Sequence, residues 1–154
     1  MLCGAELGGG IMKKSVKVKI ESRIENLDEA GLPSGDIERS EVSLLGEMVS
    51  SDGGFLISYS EKTEGGEISS EVTVLDGFVR VSRRGAIESS FDFRRGASHS
   101  SVYSMGGYKF DVKILPKRVD STLGEDGGLV DLLYNMNIGG ADKAVRMKIW
   151  IQMN

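Results

Sequence analysis

The tetrapeptide Arg-Arg-Gly-Ala occurs twice, at residues 83–86 and 94–97. Four guanidinium groups so close in sequence suggest anion capture, because a guanidinium fork matches a carboxylate or phosphate with two parallel hydrogen bonds. Whether the four act together depends on the segment between them. "AIESSFDF" (86–93) reads as a strand, and eleven extended residues span about 36 Å. The two pairs then lie at opposite ends of that strand, each a turn carrying solvated charge. A bend at "ESS" (88–90) would instead bring them together as one anion site.

Other chemistry is scarce. His99 is the only histidine and Cys3 the only cysteine. No intramolecular disulfide and no one-chain zinc set follow from these. "GEDGG" (124–128) carries acidic oxygens but lacks the EF-hand spacing and reads as a turn. Ser98, His99 and Ser100 are adjacent, yet neighbours along a strand point to opposite faces, so His99 reads as a surface or rim residue. Asp92 and Asp111 fall on polar faces, where a solvated role is the default. No phosphate loop is present. The reading assigns no catalytic residue, metal or cofactor, and leans away from an enzyme.

The elements that would position any site are strands. Val16, Val18, Ile20 and Ile24 alternate with Lys17, Lys19, Glu21 and Arg23. The same period of two recurs at Phe55–Ile57–Tyr59, Ile68–Val72–Val74, Tyr108–Phe110–Val112–Ile114, Val130–Leu132–Tyr134–Met136–Ile138 and Val145–Met147–Ile149–Ile151. Period two with one apolar face marks half-buried antiparallel strands. Glycine is abundant, 21 residues against two prolines, and Gly53-Gly54, Gly65-Gly66, Asp76-Gly77 and Gly106-Gly107 punctuate the rows as hairpin turns should. An up-and-down meander of this many strands leaves edges to protect, and closure removes them. The expected fold is all-β, a closed antiparallel up-and-down barrel of about eight to ten strands. The barrel domain covers 14–154, behind a flexible N-terminal leader at 1–13 in which Met12 is a second candidate start.

Two polar stretches break the pattern. "NLDEAGLPSGDIE" (26–38) and "RVDSTLGEDGG" (118–128) are either plain surface loops or lids over a barrel mouth. No run reaches the roughly twenty apolar residues of a membrane helix, and the start lacks the pattern of a secretory signal. With one cysteine, the chain is expected in the cytoplasm and away from the membrane.

Charge is uneven along the chain. Residues 1–79 net −8, residues 80–118 net +6 and residues 119–154 net −2. Strands pairing basic with acidic side chains explain such blocks. The alternative is a protein- or RNA-binding outer wall built on Arg83, Arg84, Arg94, Arg95 and Lys113. Against nucleic acid stand the acidic total and the placement of Tyr108 and Phe110 in an apolar row.

An interior ligand is the leading reading. Ser22, Gly46, Ser70 and Ser89 are small residues on inward rows and leave space, which large neighbours could also fill. The lining would come from Phe55, Tyr59, Phe91, Phe110 and Tyr134. Arg80 joins them if Phe78 faces in, and then needs Glu61 or a ligand's anion as partner. If Val79 and Val81 face in, Arg80 stands outside, and that register is preferred because it buries two β-branched residues. Trp150, opposite the last apolar row, is expected to pack under a loop or against a second copy in a homodimer.

"RRGAIESSFDFRRGAS" (83–98), "YKFDVKI" (108–114) and "LLYNMNI" (132–138) together resemble the YwiB-like family of small bacterial proteins. The resemblance runs over about residues 14–152 and implies a single β-barrel similar to lipocalins, or calycins more broadly, in a bacterial cytosol. It implies no activity and carries over no catalytic or binding residue. The functional expectation is a non-catalytic binding protein with a small, partly apolar ligand inside a lipocalin-like barrel.

Overall fold

Rows of valine and isoleucine on one face of each strand must leave water on that face only. The chain achieves this by curling one sheet on itself. The structure, a computed structural model, describes residues 12–154. Its strands are β1 (Met12–Leu27), β2 (Pro33–Ser51), β3 (Gly54–Thr63), β4 (Gly66–Leu75), β5 (Phe78–Gly85), β6 (Ile87–Phe93), β7 (His99–Met105), β8 (Tyr108–Ser121), β9 (Gly127–Ile138) and β10 (Ala141–Met153). Each pairs antiparallel with the next, and β10 returns to pair with β1, closing a ten-stranded barrel. The expected all-β, up-and-down closed barrel is the observed fold, at the upper end of the expected strand count. β1 begins at Met12, and Lys13 already pairs with Val49. The rest of the leader expected at 1–13 lies outside the described residues.

Alternation sets what faces in. Val16, Val18, Ile57, Val72, Ile114, Val130, Leu132 and Ile149 are fully buried inside the barrel. Pro116 is buried within β8 at a register shift between Pro116 and Arg118. A bulge is one of the few strand positions that tolerates a residue without an N–H.

The two ends of the barrel differ. At one end Phe55, Val119 and Leu123 pack against the core and border a hollow of about 420 Å³ with Val74 and Val79. Leu123 comes from the short connection that remains of the expected 118–128 loop, since β8 runs to Ser121 and β9 starts at Gly127. That connection lies at the end opposite Phe110 and is no lid over the open mouth. At the other end the first half of β2 runs on past β3 as an edge arm paired to β1 alone, while β1 itself stays paired with β10 as far as Asn26. Residues 33–45 of β2 pair with β1, whereas β3 pairs with β2 only from Gly46 to Ser51. The expected 26–38 loop is mostly this arm, tipped by a turn at residues 28–32. There the Asp28 carboxylate accepts hydrogen bonds from the N–H groups of Ala30 and Leu32, both at 2.9 Å.

The two Arg-Arg-Gly repeats have different jobs. Gly85 still belongs to β5, at φ 109°, and an added Cβ would meet the Glu67 carbonyl oxygen. Gly96 sits in the turn between β6 and β7, at φ 78°, with open space around it. All seven residues of β6 separate the pairs.

Candidate functional site

The open end of the barrel holds a cavity of about 440 Å³. Its wall is mostly apolar: Ile24, Val81, Phe91, Phe93, Tyr103, Met136, Ile138, Val145 and Met147. Met105 and Phe110 form part of the rim and are exposed to solvent. Ser22 and Ser40, cross-strand neighbours on β1 and β2, supply small side chains where β2 has parted from β3. Phe93 and Tyr134 close the floor, their rings edge to face at 4.9 Å between centroids. This geometry favours the positive ring edge meeting the negative face of its neighbour.

Two cations enter this apolar wall, Arg83 from β5 and Lys143 from β10. In the order of the barrel these strands are five apart, so the two charges face each other across the mouth. Lys143 Nζ donates to Asn26 Oδ1 at 2.7 Å. Arg83 forms no ion pair among the described residues. Arg83 sits in a row of polar side chains. In strand register Tyr59 lies beside Ser70, Ser70 beside Arg83, and Arg83 beside Ser89. Ser70 and Ser89 are buried, and Tyr59 is only 7% exposed.

The electrostatics follow from this burial. Removal from water pushes the Tyr134 hydroxyl up to about 12, against the opposing pull of Arg83. Burial also raises Tyr59, while Arg83 and a hydrogen bond to Ser70 lower it and the charge of Glu61 raises it. Both phenols are therefore neutral O–H groups at physiological pH. The row of Tyr59, Ser70, Arg83 and Ser89 thus holds four donors of three kinds and one positive charge, and of the four Arg83 lines the cavity.

Several expected site residues lie elsewhere. Arg80, offered for the interior, points outward, because Val79 and Val81 take the inner face of β5. Its guanidinium binds the Asp92 carboxylate across the wall, at 2.6 and 3.0 Å. The hydrogen bond and charge of Arg80 hold Asp92 below the usual carboxylate range. Arg83, offered for the outer basic patch, points inward for the same reason, since it shares a face with Val79 and Val81. Phe91, Phe110 and Tyr134 do line the cavity. Tyr59 faces inward beside Ser70 in the polar row, and Phe55 belongs to the opposite end. Arg84 is exposed at the open end of β5, Arg94 and Arg95 at the far end of β6, and Lys113 on the outer face of β8. They form no continuous patch. The Arg94 guanidinium lies 5.0 Å over the Phe78 ring.

Asp131 is not singled out in the sequence, and Trp150, expected under a loop or against a second copy, lies instead on the outer wall against β1, 37% exposed. Asp131 on β9 is a buried acid on the outer wall, held by Arg146 at 3.0 Å and Arg118 at 3.5 Å. Burial pushes its carboxyl up, but hydrogen bonding and charge from Arg146, with Arg118 and Lys148, outweigh this and hold it below its ordinary value. Trp150 stands on the outer face beside Lys19 and donates its indole N–H to the Glu21 carboxylate. β6 and β7 pair at only two positions, Ile87 with Met105 and Glu88 with Ser104. Beyond them His99 Nε2 lies 3.3 Å from the Ser90 carbonyl oxygen. Among the described residues no cluster of three or more His, Cys, Asp or Glu could hold a metal ion, and no helix is long and apolar enough to cross a membrane.

Comparison with known proteins gives relatives of the same architecture. Over 83 residues the chain is 32% identical to the uncharacterized β-barrel protein YwiB of Bacillus subtilis (strain 168). That alignment covers 54% of this chain and 58% of the relative, so the match spans little more than half of that protein's length. The crystal structure of the Bacillus subtilis ywiB protein superposes with a TM-score of 0.82 at 25% identity, covering 94% of this chain and 95% of that one. Residues 18–149 match a family described as a domain of unknown function, DUF1934, and the chain belongs to that family.

Proposed function

We propose that this protein is a non-catalytic binding protein that holds one small, partly apolar ligand in the open-end cavity. The observation that carries the reading is the cavity itself: about 440 Å³, walled by aromatic, methionine and branched side chains, with a few polar groups among them. Ligand pockets of roughly 300–1,000 Å³ have this composition, apolar for affinity and sparsely polar for orientation. A barrel whose large inward side chains filled the space beside Ser22 and Ser40 would leave no such volume. The single cysteine fits a reducing compartment, and the reading places the protein in the cytoplasm. The outer-wall alternative has less support, since Arg80 is neutralised by Asp92, Arg83 points inward and the remaining cations are dispersed.

Titration with the neutral, fluorescent apolar probe Nile red tests this. The expected result is saturable binding of one probe per chain. Met147→Trp places an indole in the cavity and removes that binding, with circular dichroism checking that the barrel is intact. Absence of saturable binding, or binding that ignores a folded Met147→Trp variant, would overturn the reading.

A further inference from the structure

We infer that the cavity selects a single-chain amphiphile with an anionic head group, and that Arg83 receives the head. The inference rests on the ligand-binding reading above and adds the chemical class. Four inward side chains stand side by side on β3, β4, β5 and β6: Tyr59, Ser70, Arg83 and Ser89. Three are hydroxyls and the fourth is a guanidinium; of the four only Arg83 lines the cavity, so Arg83 is the group placed to donate to an oxyanion there. Arg83 forms no ion pair among the described residues, although it borders an apolar cavity with Val81, Phe91 and Phe93. A guanidinium at an apolar wall is poorly solvated, and a carboxylate or phosphate would complete its hydrogen bonding in bidentate form. Glu61, whose charge also acts on Tyr59, is the nearby acid and makes no ion pair with Arg83. Lys143, on the opposite wall, keeps its charge while donating to the neutral Asn26 amide; the forked guanidinium of Arg83 is the closer match to a two-oxygen head. The ligand's apolar part then extends inward along Val81, Met136 and Met147 toward the floor at Phe93 and Tyr134.

Calorimetric titration at neutral pH with decanoate, decyl phosphate and decanol tests the inference, because the three share a chain and differ in the head. The expected result is that at least one anion binds about tenfold or more tighter than decanol, as a charge-assisted hydrogen-bonded pair supplies. The tighter anion identifies the head group. Arg83→Gln removes the preference, so that the anion binds no tighter than decanol does to the same variant. Arg83→Lys, which keeps the charge and loses the fork, retains part of the preference. Decanol binding as tightly as both anions, or an anion preference that survives in Arg83→Gln, overturns the anionic-head inference while the cavity reading stands. Failure of all three to bind removes the cavity reading and this inference together. Near-ultraviolet circular dichroism shows that the variants remain folded.

Discussion

Phe91 and Phe93 both line the cavity, from adjacent inward positions of β6, yet truncating them should have very different effects. Phe93 is 1% exposed and packs edge to face on Tyr134. Phe93→Ala removes a fully buried ring from the cavity floor and leaves a hole against Tyr134, which costs about 3–5 kcal/mol. Phe91 is half-buried, with one side of its ring already facing the cavity. Phe91→Ala enlarges a space that already exists, so mainly the transfer of a partly exposed ring is lost, about 1–2 kcal/mol. The difference of about 2–3 kcal/mol corresponds to a shift in urea midpoint of about 1 M or more at the usual slope of about 1–3 kcal/mol per molar. Urea unfolding followed by the fluorescence of Trp150 reads this directly. Trp150 is the only tryptophan and stands on the outer wall, away from the cavity lining. Equal losses for the two variants would refute the reasoning, because they would mean that the interior is packed as tightly at Phe91 as at Phe93.

Three further outcomes follow from the wall and its turns. Gly85→Ala should destabilise by about 3–4 kcal/mol, from positive φ plus collision with the Glu67 carbonyl, whereas Gly96→Ala should cost about 1 kcal/mol from φ alone, and thermal unfolding of the pair checks this. Asp131→Asn should lower stability by about 1 kcal/mol at neutral pH, a figure discounted for the exposure of Arg146 and Arg118. The folded-state pKa of Asp131 is depressed, so its contribution is full above the ordinary value of 3.8 and is lost as pH falls below it; denaturation midpoints of variant and parent should converge in acid. His99→Ala should cost about 1 kcal/mol and speed hydrogen exchange in β6 and β7, where His99 spans a stretch with little strand pairing. Unchanged exchange there would show that the imidazole does not hold the seam.

The barrel was legible because its signals are local. Each inward row repeats at period two, and each break falls at a glycine turn, so strand placement and closure needed no long-range information. Arg83 shows where the reading stopped short. Treating Arg83-Arg84-Gly85 as a turn ended the alternation three residues early, whereas β5 continues to Gly85 and Arg83 shares the face of Val79 and Val81. The same alternation that places Arg80 outside places Arg83 inside. The arm was harder to see, since residues 33–41 are exposed on both faces and are held by backbone pairing to β1 rather than by burial. The row of Tyr59, Ser70, Arg83 and Ser89 was illegible for another reason: it depends on the register between four strands, which no single segment encodes. The cavity likewise depends on which small residues meet at one end of the barrel.

The methionines offer the most direct test of a ligand at the open end. Met105, Met136 and Met147 line the cavity, while Met48 is buried and does not. With methionine methyl groups labelled with carbon isotope, stepwise addition of decanoate should shift the resonances of Met105, Met136 and Met147 together, saturating at one equivalent, and leave Met48 in place. Shifts spread evenly over all four, or none that saturate, would contradict binding within the barrel mouth.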